Sequence, residues 1–203
     1  TLARWEAATR VPIYEGYGQT EAGPVLTYQS PQSPRRPGSV GCALPDTEVQ
    51  IVALDDPERV LAPGESGEIR ARGPQLMLGY RNRPGETAAA LRGGWLYTGD
   101  VGRMDPDGTL WIEDRRKDMA IVGGFNVYPR EIAEVLCAHP SVAEAAAVGV
   151  PDPYRGEVLR AYVVPRAGAD VGADELRAHC ERELVRYKRP ATIGIVDSLP
   201  KTS

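Results

Sequence analysis

Three side chains suited to binding a nucleotide lie close together in the run Tyr17-Gly18-Gln19-Thr20-Glu21. An aromatic ring can stack on a purine base, a hydroxyl can donate to a phosphate, and a carboxylate is a hard oxygen ligand for Mg²⁺. Tyr17, Thr20 and Glu21 supply these groups on one turn, and Gly18 allows a close approach of the backbone. The residue types favour a nucleotide site. A surface turn between two strands is the alternative interpretation.

A second candidate is Asp100, at the end of the run Trp-Leu-Tyr-Thr-Gly-Asp at residues 95–100. A carboxylate can accept hydrogen bonds from both hydroxyls of a ribose, and bonds to an ionised group are strong. We therefore expect Asp100 to be fixed on a glycine turn, facing a ribose. The alternative is an aspartate that caps a turn, because Gly-Asp pairs are common in loops.

Two further segments lie in the second half of the chain. The basic run Arg115-Arg116-Lys117 could contact a ribose or a phosphate, although most such runs are solvated surface. The pair Gly123-Gly124 precedes Phe-Asn-Val-Tyr-Pro, and glycines there would let the backbone approach a ligand. The alternative for this pair is a turn between a strand and a helix.

In this order, and with Leu-Pro-Lys-Thr-Ser at residues 199–203, these segments resemble the adenylate-forming (ANL) superfamily from end to end of the chain. The run at residues 123–129 looks most like that of fatty acyl-CoA synthetases. The resemblance implies that the chain is the C-terminal part of such an enzyme, roughly its last two-fifths. It also implies that an N-terminal part with a glycine-rich phosphate loop is missing, as is a catalytic lysine expected beyond Ser203. Lys201 is the earlier lysine of that terminal run and is not expected to be the catalytic one.

The resemblance assigns a role to each candidate residue. Tyr17 would stack on adenine, Thr20 would contact the α-phosphate, and Glu21 would help to place the metal. Asp100 would hold the ribose hydroxyls and Arg115 would contact the ribose. The implied nucleotide-binding set is Tyr17, Gly18, Thr20, Asp100 and Arg115, the implied catalytic set is Thr20, Glu21 and the hinge residue Lys117, and the implied contacts to the pantetheine of CoA are Gly123 and Gly124.

The implied activity is that of an acyl-CoA synthetase. ATP and Mg²⁺ would activate a carboxylic acid, in the first place a fatty acid, to an acyl-adenylate, and CoA would then displace AMP to give a thioester. Without the phosphate loop and the final lysine, the isolated chain is expected to be inactive. Two alternatives stay open: an adenylating enzyme that passes the acyl group to a carrier protein, and a non-catalytic interaction module.

Composition narrows the class of protein. The net charge of −4 over 203 residues argues against a nucleic-acid-binding surface. No apolar run approaches the roughly 20 residues of a membrane helix, so no transmembrane segment is expected. The three cysteines are widely spaced, which is typical of reduced thiols and favours a cytoplasmic location.

The hydrophobic pattern predicts a mixed α+β fold, with a strand around residues 12–14 and a small β-barrel or sandwich in the first part, and a compact α+β domain in the second. The resemblance implies that residues 1–115 are the C-terminal portion of the large N-terminal domain. It also implies that residues 116–203 are the small mobile domain, with the hinge near Lys117. Helices are predicted at residues 84–91, after Pro129, and from Asp174 to Arg189, and a strand hairpin is predicted across residues 151–153.

Overall fold

The computed structural model describes residues 2–201, and the chain divides into two compact units between Ile112 and Glu113. The sequence analysis placed this boundary after residue 115, three residues further along, so Arg115 lies in the second unit instead of the first. Thr202 and Ser203, the last residues of the C-terminal run, lie outside the described part. The hinge near Lys117 stays a prediction.

The first unit is rich in short strands. Its elements in chain order are α1 (Leu2–Thr9), β1 (Gly16–Tyr17), a 3₁₀ turn (Thr20–Ala22), β2 (Thr27–Tyr28), β3 (Cys42–Ala43), β4 (Glu48–Val52), β5 (Ser66–Arg72), α2 (Pro84–Ala90), β6 (Leu91–Arg92), β7 (Trp95–Met104) and the first half of β8 (Leu110–Arg115), whose last three residues belong to the second unit. Strands β1, β2 and β3 form one antiparallel sheet. A second sheet has the order β4-β5-β7-β6, and β8 also pairs with β7.

Two apolar clusters hold the first unit together. One contains Ala22, Leu26, Ala71 and Leu96, and the other contains Ile51, Ile69 and Leu110. Strand β5 is buried on both faces, and its charged Arg70 is accommodated by hydrogen bonds to Gln50 and Tyr97 and by stacking 4.6 Å above the ring of Trp95. A buried guanidinium is stable only when its donors are satisfied, and Arg70 meets that condition.

The second unit is one sheet covered by helices. Its elements are a 3₁₀ turn (Arg116–Asp118), β9 (Ala120–Val122), β10 (Phe125–Val127), α3 (Pro129–Cys137), β11 (Val142–Asp152), β12 (Gly156–Pro165), α4 (Ala173–Glu183), a 3₁₀ turn (Arg186–Lys188) and β13 (Thr192–Ile195). The sheet order is β10-β9-β12-β11, and β13 lies parallel to β12. Ile132 and Leu136 of α3 and Leu176 of α4 are fully buried in a single core with the sheet.

Most of the predicted elements form. The fold is mixed α+β, α2 and α3 begin at the two prolines, and β11 and β12 make an antiparallel hairpin. Proline fits the first turn of a helix because its missing N–H would have no partner there. Among the helices of residues 2–201, none combines the length and apolar character that a membrane crossing requires.

Two predicted elements were wrong. Residues 12–14 form no strand; β1 comes later, at Gly16–Tyr17, where it pairs with β2. Helix α4 ends at Glu183 and does not continue to Lys188 and Arg189. The backbone becomes extended at Leu184, and Arg189 stabilises this end, because its Nε donates to the carbonyl of Leu184 (3.0 Å) and its Nη2 to that of Glu181 (2.9 Å).

The buried leucine Leu110 gives a test of the first unit. Leu110 is fully buried beside Ile51 and Ile69, whereas Leu78 is fully exposed. Leu110→Ala should lower the free energy of unfolding by about 2–5 kcal/mol, through lost transfer energy and the cavity left behind. Leu78→Ala should change it by less than about 0.5 kcal/mol. Chemical denaturation of the intact protein measures both, and equal effects would contradict the packing described here.

Candidate functional site

The turn that carries the first candidates is anchored by its neighbours in sequence. After β1, the 3₁₀ turn Thr20–Ala22 ends at Gly23, whose left-handed backbone (φ 62°) closes it. Ala22 is fully buried in the first apolar cluster, whereas Thr20 is exposed and Glu21 half-buried. A small buried residue and a left-handed glycine therefore fix the turn and leave its polar side chains at the surface.

Tyr17 and Asp100 are brought together although they are far apart in sequence. The Tyr17 ring packs against both apolar clusters of the first unit, and its hydroxyl donates to Asp100 Oδ2 at 2.6 Å. A hydrogen bond to a carboxylate is shorter and stronger than one between neutral groups. An aromatic ring and an acid thus lie side by side, and their contact with a nucleotide stays a prediction.

Asp100 lies in a β-bulge inside a long strand, and not on a separate glycine turn as the sequence suggested. In the β5–β7 ladder, Glu68 faces Val101 and Arg70 faces Tyr97, so residues 98–100 share one partner residue. Thr98 Oγ1 donates to the carbonyl of Ile69 (2.8 Å) and accepts from the Asp100 N–H (3.1 Å). A bulge re-aims a side chain, and this one turns Asp100 towards Tyr17.

The absence of a side chain at Gly18 is explained by the protein itself. A Cβ on this residue would lie 1.8 Å from the carbonyl oxygen of Pro24 and 2.7 Å from Val25 Cα. The sequence analysis had assigned this space to the approach of the nucleotide. The glycine is required because the returning chain occupies that space, and its contact with a nucleotide stays a prediction.

Glu21 is held by a residue that the sequence analysis gave no role. Tyr80 Oη donates to Glu21 Oε1 at 2.7 Å. This hydrogen bond, followed by partial burial, raises the pKa of Tyr80 to about 12. The two residues are 59 positions apart, and the sequence around Tyr80 does not predict the contact.

Arg115 and Lys117 belong to the second unit. Arg115 ends β8, where its N–H donates to Asp114 Oδ1 at 2.8 Å, and Lys117 is exposed on the following 3₁₀ turn. Lys117 borders a cavity of about 550 Å³ that is also lined by Asp114 and Arg130. The other oxygen of Asp114 accepts from the Arg130 N–H at the first turn of α3, a favourable place for a negative charge.

Gly123 and Gly124 form the two-residue turn of a hairpin between β9 and β10, so the alternative of a strand-to-helix turn was wrong, and the contact of this pair with pantetheine stays a prediction. Both have positive φ (58° and 86°), as the central residues of a type I′ hairpin turn do. A Cβ on either residue would meet no atom within 4 Å, so the backbone conformation, and not crowding, explains why both positions are glycine. Phe125, the next residue, stacks on Tyr187 with ring centroids 4.4 Å apart.

The C-terminal segment adds one exposed contact. Lys201 donates to Glu144 Oε1 of β11 at 2.9 Å. This pair lies at the surface, where a single ion pair contributes little stability.

Comparisons with known proteins agree over almost the whole chain. A family model described as AMP-binding enzyme matches residues 1–81, and one described as AMP-binding enzyme C-terminal domain matches residues 131–203. A long-chain-fatty-acid–CoA ligase of Bacillus subtilis is 45% identical over 200 residues, which are 98% of this chain and 36% of that protein. The chain thus spans little more than a third of that relative's length.

Two solved structures extend the comparison to the fold. The ATP-bound structure of MatB from Rhodopseudomonas palustris superimposes with a TM-score of 0.94 at 35% identity, covering 100% of this chain and 40% of that one. The o-succinylbenzoate CoA synthetase of Bacillus subtilis, in complex with its acyl-adenylate intermediate OSB-AMP, gives 0.87 at 39% identity, covering 98% and 40%. Both relatives are longer than this chain.

Gly18 provides a test of the local packing. Gly18→Ala should destabilise the protein by about 1–3 kcal/mol, because the new methyl group would overlap the Pro24 carbonyl and force the turn apart. Gly85→Ala is the matched control, since a Cβ in that first turn of α2 meets no atom within 4 Å. Thermal unfolding of both variants measures the difference, and a Gly18→Ala variant as stable as wild type would show that the turn is not constrained in this way.

Proposed function

We propose that this chain, which belongs to the AMP-binding, adenylate-forming enzymes, serves in the ATP-dependent activation of a carboxylic acid and its transfer to CoA. The observation that carries the proposal is the hydrogen bond between Tyr17 and Asp100. It supports a nucleoside site in which the Tyr17 ring takes the adenine and Asp100 accepts from the ribose hydroxyls. The reaction would give an acyl-adenylate and pyrophosphate first, and a thioester and AMP second.

The residues around the turn suit the triphosphate and its metal. Thr20 is exposed and can donate to the α-phosphate, and Glu21 presents a carboxylate next to it. Within residues 2–201, no cluster of three acidic, histidine or cysteine side chains could bind an ion unaided. The single carboxylate of Glu21 is enough for a Mg²⁺ that arrives with ATP, because Mg²⁺ in nucleotide sites takes one or two carboxylates besides phosphate oxygens. Bound there, the metal would neutralise phosphate charge.

The second unit would serve the thioester step. In this proposal Lys117 is the hinge, Arg115 contacts the ribose, and the hairpin tip at Gly123 and Gly124 borders the pantetheine of CoA. The exposed position of Lys117 and the absence of side chains at the hairpin tip support these roles. We place the reaction in the cytoplasm, where both ATP and CoA are available.

A long-chain fatty acid is the proposed acid. The support is the 45% identity to the Bacillus subtilis long-chain-fatty-acid–CoA ligase and the hairpin segment at residues 123–129. An aromatic acid is the second candidate, because the o-succinylbenzoate CoA synthetase of the same organism is 39% identical over 98% of the chain.

Carboxylate-dependent exchange of pyrophosphate into ATP tests the proposal. The intact protein that contains this chain should catalyse exchange with long-chain fatty acids and then form acyl-CoA when CoA is added. Exchange with o-succinylbenzoate alone would change the acid, and transfer to the phosphopantetheine of a carrier protein instead of CoA would change the acceptor. No exchange with fatty, aromatic or amino acids would leave the interaction module as the better reading.

Asp100→Ala tests the ribose contact. Losing hydrogen bonds to a charged acceptor should raise the KM for ATP about tenfold to a hundredfold. The preference for ATP over 2′-deoxy-ATP and 3′-deoxy-ATP should shrink in parallel, because the discriminating group is gone. Asp55→Ala is the control, since this exposed aspartate pairs with Arg59 at the surface and should change neither value. An unchanged preference in Asp100→Ala would refute the ribose assignment.

A further inference from the structure

The segment at residues 73–80 packs its main chain against the turn that carries Glu21. The Met77 N–H donates to the carbonyl of Glu21 at 2.9 Å. Leu76 and Met77 also pack against the apolar cluster that contains Ala22. The backbone at Glu21 and at the following residue is therefore held by one neighbouring segment.

Tyr80 ends that segment and reaches the Glu21 carboxylate, its Oη donating to Oε1 at 2.7 Å. Tyr80 is itself held in place, because its N–H donates to Thr87 Oγ1 (2.9 Å), and that hydroxyl donates to the carbonyl of Arg83 (2.8 Å). This connects Glu21 through Tyr80 to the start of α2. A carboxylate on a flexible side chain is thus reduced to a narrow range of orientations.

From this geometry we propose that Tyr80 is a positioning residue that orients the Glu21 carboxylate towards the Mg²⁺ of bound ATP. Groups that hydrogen-bond to a metal ligand fix its orientation, and their loss typically weakens metal binding or activity about 10–100-fold. A phenol suits this task because it adds no positive charge that would compete with the cation. The inference deepens the proposed function and rests on it.

The variant Tyr80→Phe keeps the ring and removes only the hydroxyl. The measurement is the affinity of the intact protein for ATP with Mg²⁺ and for ATP with EDTA, by calorimetry. In wild type, Mg²⁺ should increase ATP affinity, and in Tyr80→Phe this increase should fall by about tenfold, within the range seen when such groups are lost. Affinity for metal-free ATP should not change, because Tyr80 acts on the metal ligand alone.

Tyr28→Phe is the matched control. Tyr28 lies in the same unit, 42% of its surface is exposed against 36% for Tyr80, and its hydroxyl makes no hydrogen bond to the described residues 2–201. This control should reproduce the wild-type gain from Mg²⁺. Electron paramagnetic resonance of Mn²⁺ with enzyme and ATP gives a second readout, in which Tyr80→Phe should leave more Mn²⁺ free.

The double variant Glu21→Gln/Tyr80→Phe distinguishes a role of Tyr80 in orienting Glu21 from a purely structural role. If Tyr80 acts through Glu21, removing its hydroxyl should add nothing once Glu21 is glutamine. A full additional loss in the double variant, or an equal loss for ATP with and without metal, would show a structural role and overturn the inference.

The remaining outcomes distinguish the inference from the proposed function. A wild-type protein that gains ATP affinity from Mg²⁺, with Tyr80→Phe unchanged, would overturn the inference and leave the function standing. A wild-type protein that binds ATP without any gain from Mg²⁺ would overturn the inference and the metal role of Glu21. A folded wild-type protein that binds no ATP would overturn both the proposed function and the inference.

Discussion

The hydrogen bond between Tyr17 and Asp100 is the interaction on which the candidate site depends. The Tyr17 ring lies against both apolar clusters of the first unit, and its hydroxyl reaches the acid on β7. The turn at residues 17–22 therefore cannot shift against that strand without breaking either core packing or a bond to a carboxylate. Such bonds contribute about 1.5–3 kcal/mol. The same ring contacts the apolar interior on one side and, in the proposed site, the nucleotide on the other.

Two acids of the first unit share one mode of orientation. Asp100 accepts from Tyr17 at 2.6 Å, and Glu21 accepts from Tyr80 at 2.7 Å. A lysine or arginine in either tyrosine position would bring a positive charge and reduce the negative potential of the acid. A phenol fixes the direction of a carboxylate without this cost, so the acid keeps its charge for a hydroxyl donor or a cation.

The sequence was informative where chemistry is local and uninformative where distant segments decide the geometry. The prolines at the first turns of α2 and α3 marked two helix starts, whereas the nucleotide site predicted from the residue types at Tyr17, Glu21 and Asp100 stays a prediction. The bulge at Asp100 could not be predicted, because it depends on the register against β5. The bond between Tyr80 and Glu21 was equally hidden, since it joins segments with no shared pattern.

The length of α4 also depended on a contact that the sequence did not predict. Its acidic first turn and the stripe of Leu176 and Cys180 predicted the start of the helix and its buried face. Its end is stabilised by the side chain of Arg189, which folds back onto the carbonyls of Leu184 and Glu181. Charge order alone placed this arginine in the last turn, whereas it acts from outside the helix.

Two kinds of glycine serve these sites, and they differ in what they would accept in place of a hydrogen atom. At Gly18 the missing group is a matter of volume, because the carbonyl of Pro24 fills the space. At Gly123 and Gly124 it is a matter of handedness, because a positive φ is unfavourable for L-residues and natural for their mirror images. A residue of the opposite chirality, such as D-alanine, would therefore suit this backbone, and among the genetically encoded amino acids glycine adopts it at the lowest cost.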